Sequence, residues 1–239
     1  MRPAARAERS PTLLEQVRGL VERTYDHSTG LGPLAEFLVG DEGFRRLVAR
    51  EAPAHRVGNA TEATAGPGAQ VLLRSGRGGE LLASLYFPAR LIRTLEQHPP
   101  GHAVHDENVD AFAGFIEEID HLLLLAARAR GGPSLTLLEL ELHANVTKEL
   151  VVRHFLERKG AVGALPPDAV DWVRYHLFRK PRFSDPDSSV RDRYRDAARY
   201  AVRYLERLDR LPRRRRVRDL RRFSRMSHQQ KLRLIERAA

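Results

Sequence analysis

Two histidines and two glutamates near the middle of the chain have the types and spacing to hold a metal ion. Glu118 stands three residues before His121, and Glu139 four before His143. Residues three or four apart share one face of a helix, so each carboxylate lies beside its imidazole. The segments that carry them, Asp106 to Arg130 and Ser134 to Lys159, have apolar residues at helical spacing and are separated by Gly131-Gly132-Pro133. If they fold back as an antiparallel pair, residues whose numbers sum to about 264 lie at one height. His121 and His143 then face each other, and Glu118, His121, Glu139 and His143 form a set able to bind Zn, Fe or Mn. Helical bundles use Glu-x-x-His in this way. Only one strict Glu-x-x-His is present, where a di-iron bundle supplies two. The plainer account is that these residues are polar flanks of amphipathic helices, joined by Glu–His hydrogen bonds.

The second chemical signal is arginine. Of 41 basic residues only four are lysine, a bias that a GC-rich genome can produce without functional demand. Their distribution says more. Residues 180–239 hold 20 basic and 8 acidic side chains, whereas residues 1–179 hold 21 and 23. Within this region Arg191, Arg195, Arg199, Arg203 and Arg207 recur every four residues, as a charged rail along one helix. Arg213, Arg214, Arg215 and Arg216, followed by Arg218, Arg221 and Arg222, form a dense cluster that reads as a clamp. The planar guanidinium donates two hydrogen bonds to phosphate oxygens, and clustered arginines release condensed counterions from a polyanion. Asp192, Asp196, Glu206 and Asp209 are interleaved at pairing distance, so part of the rail also reads as a solvated salt-bridge face.

Those residues need elements to position them. Ser10-Pro11 reads as the start of a helix over 12–26, after a flexible stretch 1–11. A short helical stretch is expected around Leu34–Val39, and another that Asp41 caps, with Phe44 and Leu47 on it. The Pro-, Gly-, Ala- and Thr-rich residues 52–69 read as a loop. Two apolar runs, Val71–Arg74 and Leu81–Phe87, flank Ser75-Gly76-Arg77-Gly78-Gly79 and predict a β-hairpin over about 70–87. A short helix over Pro88–Gln97 follows. His102 and His105 sit in a Pro/Gly-rich loop and read as an exposed pair. Leu138 to His143 alternates as a strand would, but Leu, Glu and Ala favour helix and Val146, Leu150 and Phe155 continue a helical pattern. Pro166-Pro167-Asp168 opens another helix, 181–186 is a linker, and helices over 189–210 and from Ser227 complete the chain.

The fold class expected is therefore α+β, predominantly α-helical. Residues 12–180 form a mainly helical domain with a hairpin packed on helices and a long central antiparallel helix pair. Residues 181–239 form a basic helical C-terminal region. With no cysteine there is no disulfide or thiolate site. No apolar run reaches the roughly 18 residues of a membrane span, and the basic N-terminus lacks the apolar core of a signal peptide. A cytoplasmic location is expected. No nucleotide loop, nucleophile elbow, His-Glu-x-x-His or calcium loop is present, so no reaction and no organic cofactor is indicated. The first reading is a noncatalytic protein whose arginines contact nucleic acid or an acidic partner, with an anionic membrane surface the least favoured ligand. The alternatives are a metal-binding helical protein or metalloenzyme holding a divalent transition metal at Glu118, His121, Glu139 and His143, and a structural subunit of a larger assembly docking through its last helix.

Overall fold

Helix α1 (Leu13–Tyr25) starts where Thr12 accepts a hydrogen bond from the amide of Glu15, one residue inside the expected Ser10-Pro11 start. A computed structural model describes residues 11–50, 55–57, 68–76, 78, 80–131, 134–158, 165–181 and 187–237. Residues 1–10 of the expected flexible start (1–11) and residues 182–186 of the expected 181–186 linker lie outside the described residues. Val17, Val21 and Tyr25, at four-residue spacing, turn one face of α1 inward.

The hairpin is present. Strands β3 (Gln70–Ser75) and β4 (Leu81–Tyr86) pair antiparallel from Gln70 opposite Tyr86 to Ser75 opposite Leu81. A hairpin alone is marginal in water, and two short strands extend it. Strand β1 (Leu38–Val39) pairs parallel with β4, and β2 (His55–Val57) pairs antiparallel with β3, giving the order β1-β4-β3-β2. Both correct the sequence reading. Leu34–Phe37 makes only a 3-10 turn, after which Leu38 and Val39 extend along β4. His55–Val57 forms an edge strand inside the stretch expected to be a loop. Helix α2 (Asp41–Arg50) covers one sheet face, with Phe44 stacked on Tyr86 at 4.1 Å. The other face brings Val71 and Leu85 into the main core.

Helix α3 (Ala89–Gln97) leads to a loop organised by the fully buried Asn108. Its amide nitrogen donates to the carbonyls of His98 and Ala103, and its carbonyl oxygen accepts from the amide of His105. Helix α4 (Val109–Ala129) follows. Asp106, the expected cap, instead accepts from the Trp172 indole at 2.9 Å.

Helix α5 (Leu137–Glu157) returns antiparallel to α4 and is the centre of the molecule. Packed between α4 and helix α7 (Ser188–Asp209), and touched by α1 and α6 (Pro167–Arg174), it buries every residue from Glu139 to Glu149. Its period-two stretch is helical, as its propensities favour, and the alternation has a physical reason. A helix enclosed on all sides has no solvent face, so its polar side chains must find partners inside.

Helix α6 runs into a π-helical turn (Tyr175–Arg179) that buries His176 and Leu177. The described residues of the C-terminal region form three helices: α7, α8 (Arg213–Arg225) and α9 (His228–Glu236). Ser227 and Gln230 make the capping box expected at the start of α9. Tyr204, Leu205 and Leu208 of α7, Phe223 of α8 and Ile235 of α9 join the same buried core as Val17, Ile116 and Val146. Lys231 and Ile235 of α9 are thus covered by this chain's own helices. No helix among the described residues is long and apolar enough to cross a membrane.

The contact between α8 and the end of α1 predicts an acid sensitivity. His27 Nε2 lies 3.0 Å from Ser224 Oγ, half-buried. Burial, then His143, Arg225 and Arg128, pull its pKa from 6.5 down to about 4. Between these values the unfolded chain binds the proton and the folded chain does not, so stability falls as pH drops from about 6.5 towards 4. His27→Gln keeps a hydrogen-bonding side chain without the titration. Its urea midpoint should fall less than that of the unchanged protein between about pH 7 and pH 5; equal losses would remove His27 from the acid limb.

Candidate functional sites: a buried carboxylate–histidine layer and an arginine groove

The antiparallel register of α4 and α5 matches the expected one. Asp120 meets His143, Glu117 meets Lys148, and His121 meets Glu141 across the pair. Which side chains converge differs from the sequence expectation, because neighbours along a helix point about 100° apart. The four predicted metal residues fall into three separate groups.

Glu118 and His121 remain together. His121 Nδ1 lies 3.4 Å from Glu118 Oε2, while Nε2 faces Glu141 Oε2 at 3.8 Å. Glu117 completes this group, with Lys148 Nζ 2.6 Å from its Oε2. Glu117, His121 and Glu141 each offer one donor atom within 4.8 Å of the others, all buried. Burial raises the Glu118 and Glu141 carboxyls to about 7, against the pull of His121. Burial alone would depress the imidazole, but Glu141 and Glu118 outweigh it and lift His121 to about 9. From α7, Tyr194 faces the same carboxylates. Burial and the charges of Glu141 and Glu117 push its phenol far up, while Arg193 beside it opposes that shift.

His143 belongs to a second group. Its Nδ1 is 2.8 Å from Asp120 Oδ2, Thr147 donates to Asp120 Oδ1 at 2.7 Å, and the Tyr25 hydroxyl meets Thr147 Oγ1 at 2.8 Å. Burial would raise the Asp120 carboxyl, yet His143 and Thr147 hold it below its usual value. An ionised carboxylate requires the proton on His143 Nδ1. Nε2 is buried without a hydrogen-bond partner.

Glu139 belongs to a third. Its Oε1 accepts from Arg128 and from Lys231, each at 2.7 Å, and both Glu139 and Lys231 have zero exposure. Arg128 also donates to the carbonyls of Ser224 and Met226, both at 2.9 Å, closing the end of α8. Burial draws the Lys231 ammonium down to about 8, against the opposing pull of Glu139. Further along α5, Glu149 is held between Arg153 and Arg174, which also reach Asp209.

On the surface, His105 pairs with His98 rather than with its sequence neighbour His102. Both Nδ1 atoms approach Glu107 Oε2, at 3.3 Å from His98 and 3.6 Å from His105. The buried Asn108 fixes this loop from below.

The predicted arginines divide by what holds them. Arg207 makes two hydrogen bonds to Asp219, and Arg216 donates to the carbonyls of Asp209 and Leu211 at the end of α7. Arg195 pairs with Asp192 and Arg199 with Asp196 on the exposed face of α7, as the interleaved acids suggested. Arg191 also has a partner. Arg203, Arg213 and Arg215 are exposed.

Arg214, Arg218, Arg221 and Arg222 line a groove of about 910 Å³ between α8 and α9. The turn at Met226–Ser227 brings Arg225, Arg233 and Arg237 to the same groove, three residues that the sequence reading left out. Val217, Met226 and Leu234 contribute apolar lining, and Asp26 is the single carboxylate there, 3.1 Å from Arg225. Neither protein families nor curated proteins nor solved structures offer a match to this chain. Function must therefore be argued from these groups themselves.

Proposed function

We propose that this chain is a noncatalytic binding protein that holds a polyanion, the phosphate backbone of a nucleic acid, in the groove between α8 and α9. The observation that supports this reading is the charge of the groove: seven arginines face one carboxylate. Arg221 and Arg225 are engaged by Asp26, whereas Arg214, Arg218, Arg222, Arg233 and Arg237 make no ion pair with the described residues. Contacts among the described residues account for Arg216, Arg221 and Arg225 but not for the other arginines of α8. Helix α8 opens with four consecutive arginines, no acidic residue and no side-chain cap. Cations repel the positive end of a helix dipole, so this first turn carries a cost that a bound anion would remove. Of the Arg213–Arg216 clamp only Arg214 lines the groove, which runs on along α8 and across to α9, while Arg195 and Arg199 of the rail pair with acids of α7 and Arg207 with Asp219 of α8.

Arg218, Arg222 and Arg233 are exposed and suit a test that leaves the fold intact. Binding to labelled duplex and single-stranded nucleic acid should weaken with salt, with log K against log salt sloping by about −4 if five arginines each neutralise a phosphate. Replacing those three with Ala should make the slope shallower by roughly 2 to 3 and weaken unrelated sequences alike. No binding at about 50 mM salt, or unchanged binding by the triple variant, would overturn the reading. Binding of polyglutamate in preference to nucleic acid would reassign the groove to an acidic protein partner.

A further inference from the structure

Three carboxylates, Glu117, Glu118 and Glu141, are buried around His121, at 3%, 1% and 2% exposure. The Lys148 ammonium contacts Glu117, and the imidazole contacts Glu118 and Glu141. Glu141 has no hydrogen-bond partner among the described residues; its contact is His121 Nε2 at 3.8 Å, beyond hydrogen-bond range. His121 Nε2 is likewise buried without a hydrogen-bond partner. A carboxylate taken out of water normally secures strong hydrogen bonds or an ion pair, so Glu141 and the His121 Nε2 it faces are under-satisfied.

We propose that Glu117, His121 and Glu141 bind a divalent transition-metal ion inside the α4–α5 pair, with Glu118 as the positioning residue for the imidazole. Metal-bound histidines almost always donate their other ring N–H to a carboxylate or carbonyl, which fixes the tautomer and leaves the second nitrogen's lone pair for the metal. Glu118 stands at that place, on Nδ1, and itself accepts a backbone hydrogen bond from Val71 of β3. Nε2 then points towards Glu141 and Glu117, which complete a mixed oxygen and nitrogen set suited to Zn, Fe or Mn. Lys148 donates to Glu117 Oε2, and Glu117 offers a carboxylate oxygen within 4.8 Å of the His121 and Glu141 donors. Binding uses the Nε2 lone pair, so a proton carried there is released to solvent. Helices α4 and α5 carry the ligands while α7 and β3 face the group, so the ion enters as the pair closes in folding.

The experiment measures metal content by mass spectrometry in protein purified without chelator. It is repeated after unfolding with EDTA and refolding with Zn(II) or Co(II). A His98→Ala/His105→Ala background removes the surface cluster as a competing source. Stoichiometric metal retained in that background and lost in Glu141→Gln is the expected result. Glu118→Gln should weaken Co(II) affinity by about 10- to 100-fold while leaving the tetrahedral or five-coordinate visible bands in place. Metal that stays in Glu141→Gln but leaves the surface double variant would overturn the proposal, as would no metal in the unchanged protein under either condition. Should Glu141→Gln fail to fold, the thermal midpoint of the unchanged protein refolded with and without Zn(II) decides. A rise with metal that persists in the surface variant supports the site, and an identical midpoint rejects it.

Discussion

Replacing Glu139 with Ala should destabilise the protein by about 3–5 kcal/mol, because it strands two buried cations. Arg128 and Lys231 both donate to Glu139 Oε1, and Lys231 and Glu139 are sealed from solvent. Without the carboxylate, two like charges would face each other in the core, and Lys231, already drawn down to about 8, would shed its proton more readily. The damage should reach α8, since Arg128 also holds the carbonyls of Ser224 and Met226. Chemical denaturation checks the magnitude. A Lys231→Met/Glu139→Met pair separates the cause, since removing both partners leaves fewer unpaired buried charges than removing Glu139 alone. A double variant as unstable as Glu139→Ala would show that packing, not stranded charge, dominates.

Phe223→Ala should cost a similar amount, about 3–5 kcal/mol, through a different mechanism. Phe223 is fully buried, stacked on Tyr204 at 3.9 Å, with Lys231 Nζ 5.1 Å from its ring centroid. Its removal leaves a void where α7, α8 and α9 meet. Helix α8 has little else inside: Leu220 and Ser224 are its other buried residues. Polyanion binding should therefore fail together with stability, whereas the groove arginine variants should lose binding at unchanged stability. A denaturation midpoint that barely moves would mean that the neighbouring helices collapse into the space.

The sequence was most informative where one physical rule governs the outcome. Glycine between two apolar runs is enough to place the β3–β4 hairpin, and helical rise from the turn is enough to set the register of α4 against α5, although it puts His121 where Asp120 meets His143. Rotation about the helix axis is a finer matter. His121 and Asp120 are adjacent in sequence yet serve different groups. The cross-helix sum carries His121 to His143, whereas its partner Glu141 lies two residues away, because height alone does not fix the direction in which a side chain points. The strands at Leu38–Val39 and His55–Val57 are too short to show periodicity and exist through their pairing with β4 and β3. The arginine groove depended on the turn at Met226–Ser227: its capping box is legible locally, whereas the burial of Lys231 and Ile235 that holds α9 beside α8 is not. Full burial of α5 erased the amphipathic signal that usually separates a structural helix from a functional one.

The seam between α1 and α8 has a kinetic consequence. Ser224 meets His27, Arg221 reaches the carbonyl of Arg23, and Arg225 meets Asp26, across separations of 197, 198 and 199 residues. Mostly helical proteins usually fold quickly because their contacts are local. Here an early and a late helix close a ring, so nearly the whole chain must be looped before these contacts form. Helices α1 and α8 are consequently not segments that fray on their own. Opening either one breaks the same seam, which ties their amide exchange to a shared opening event.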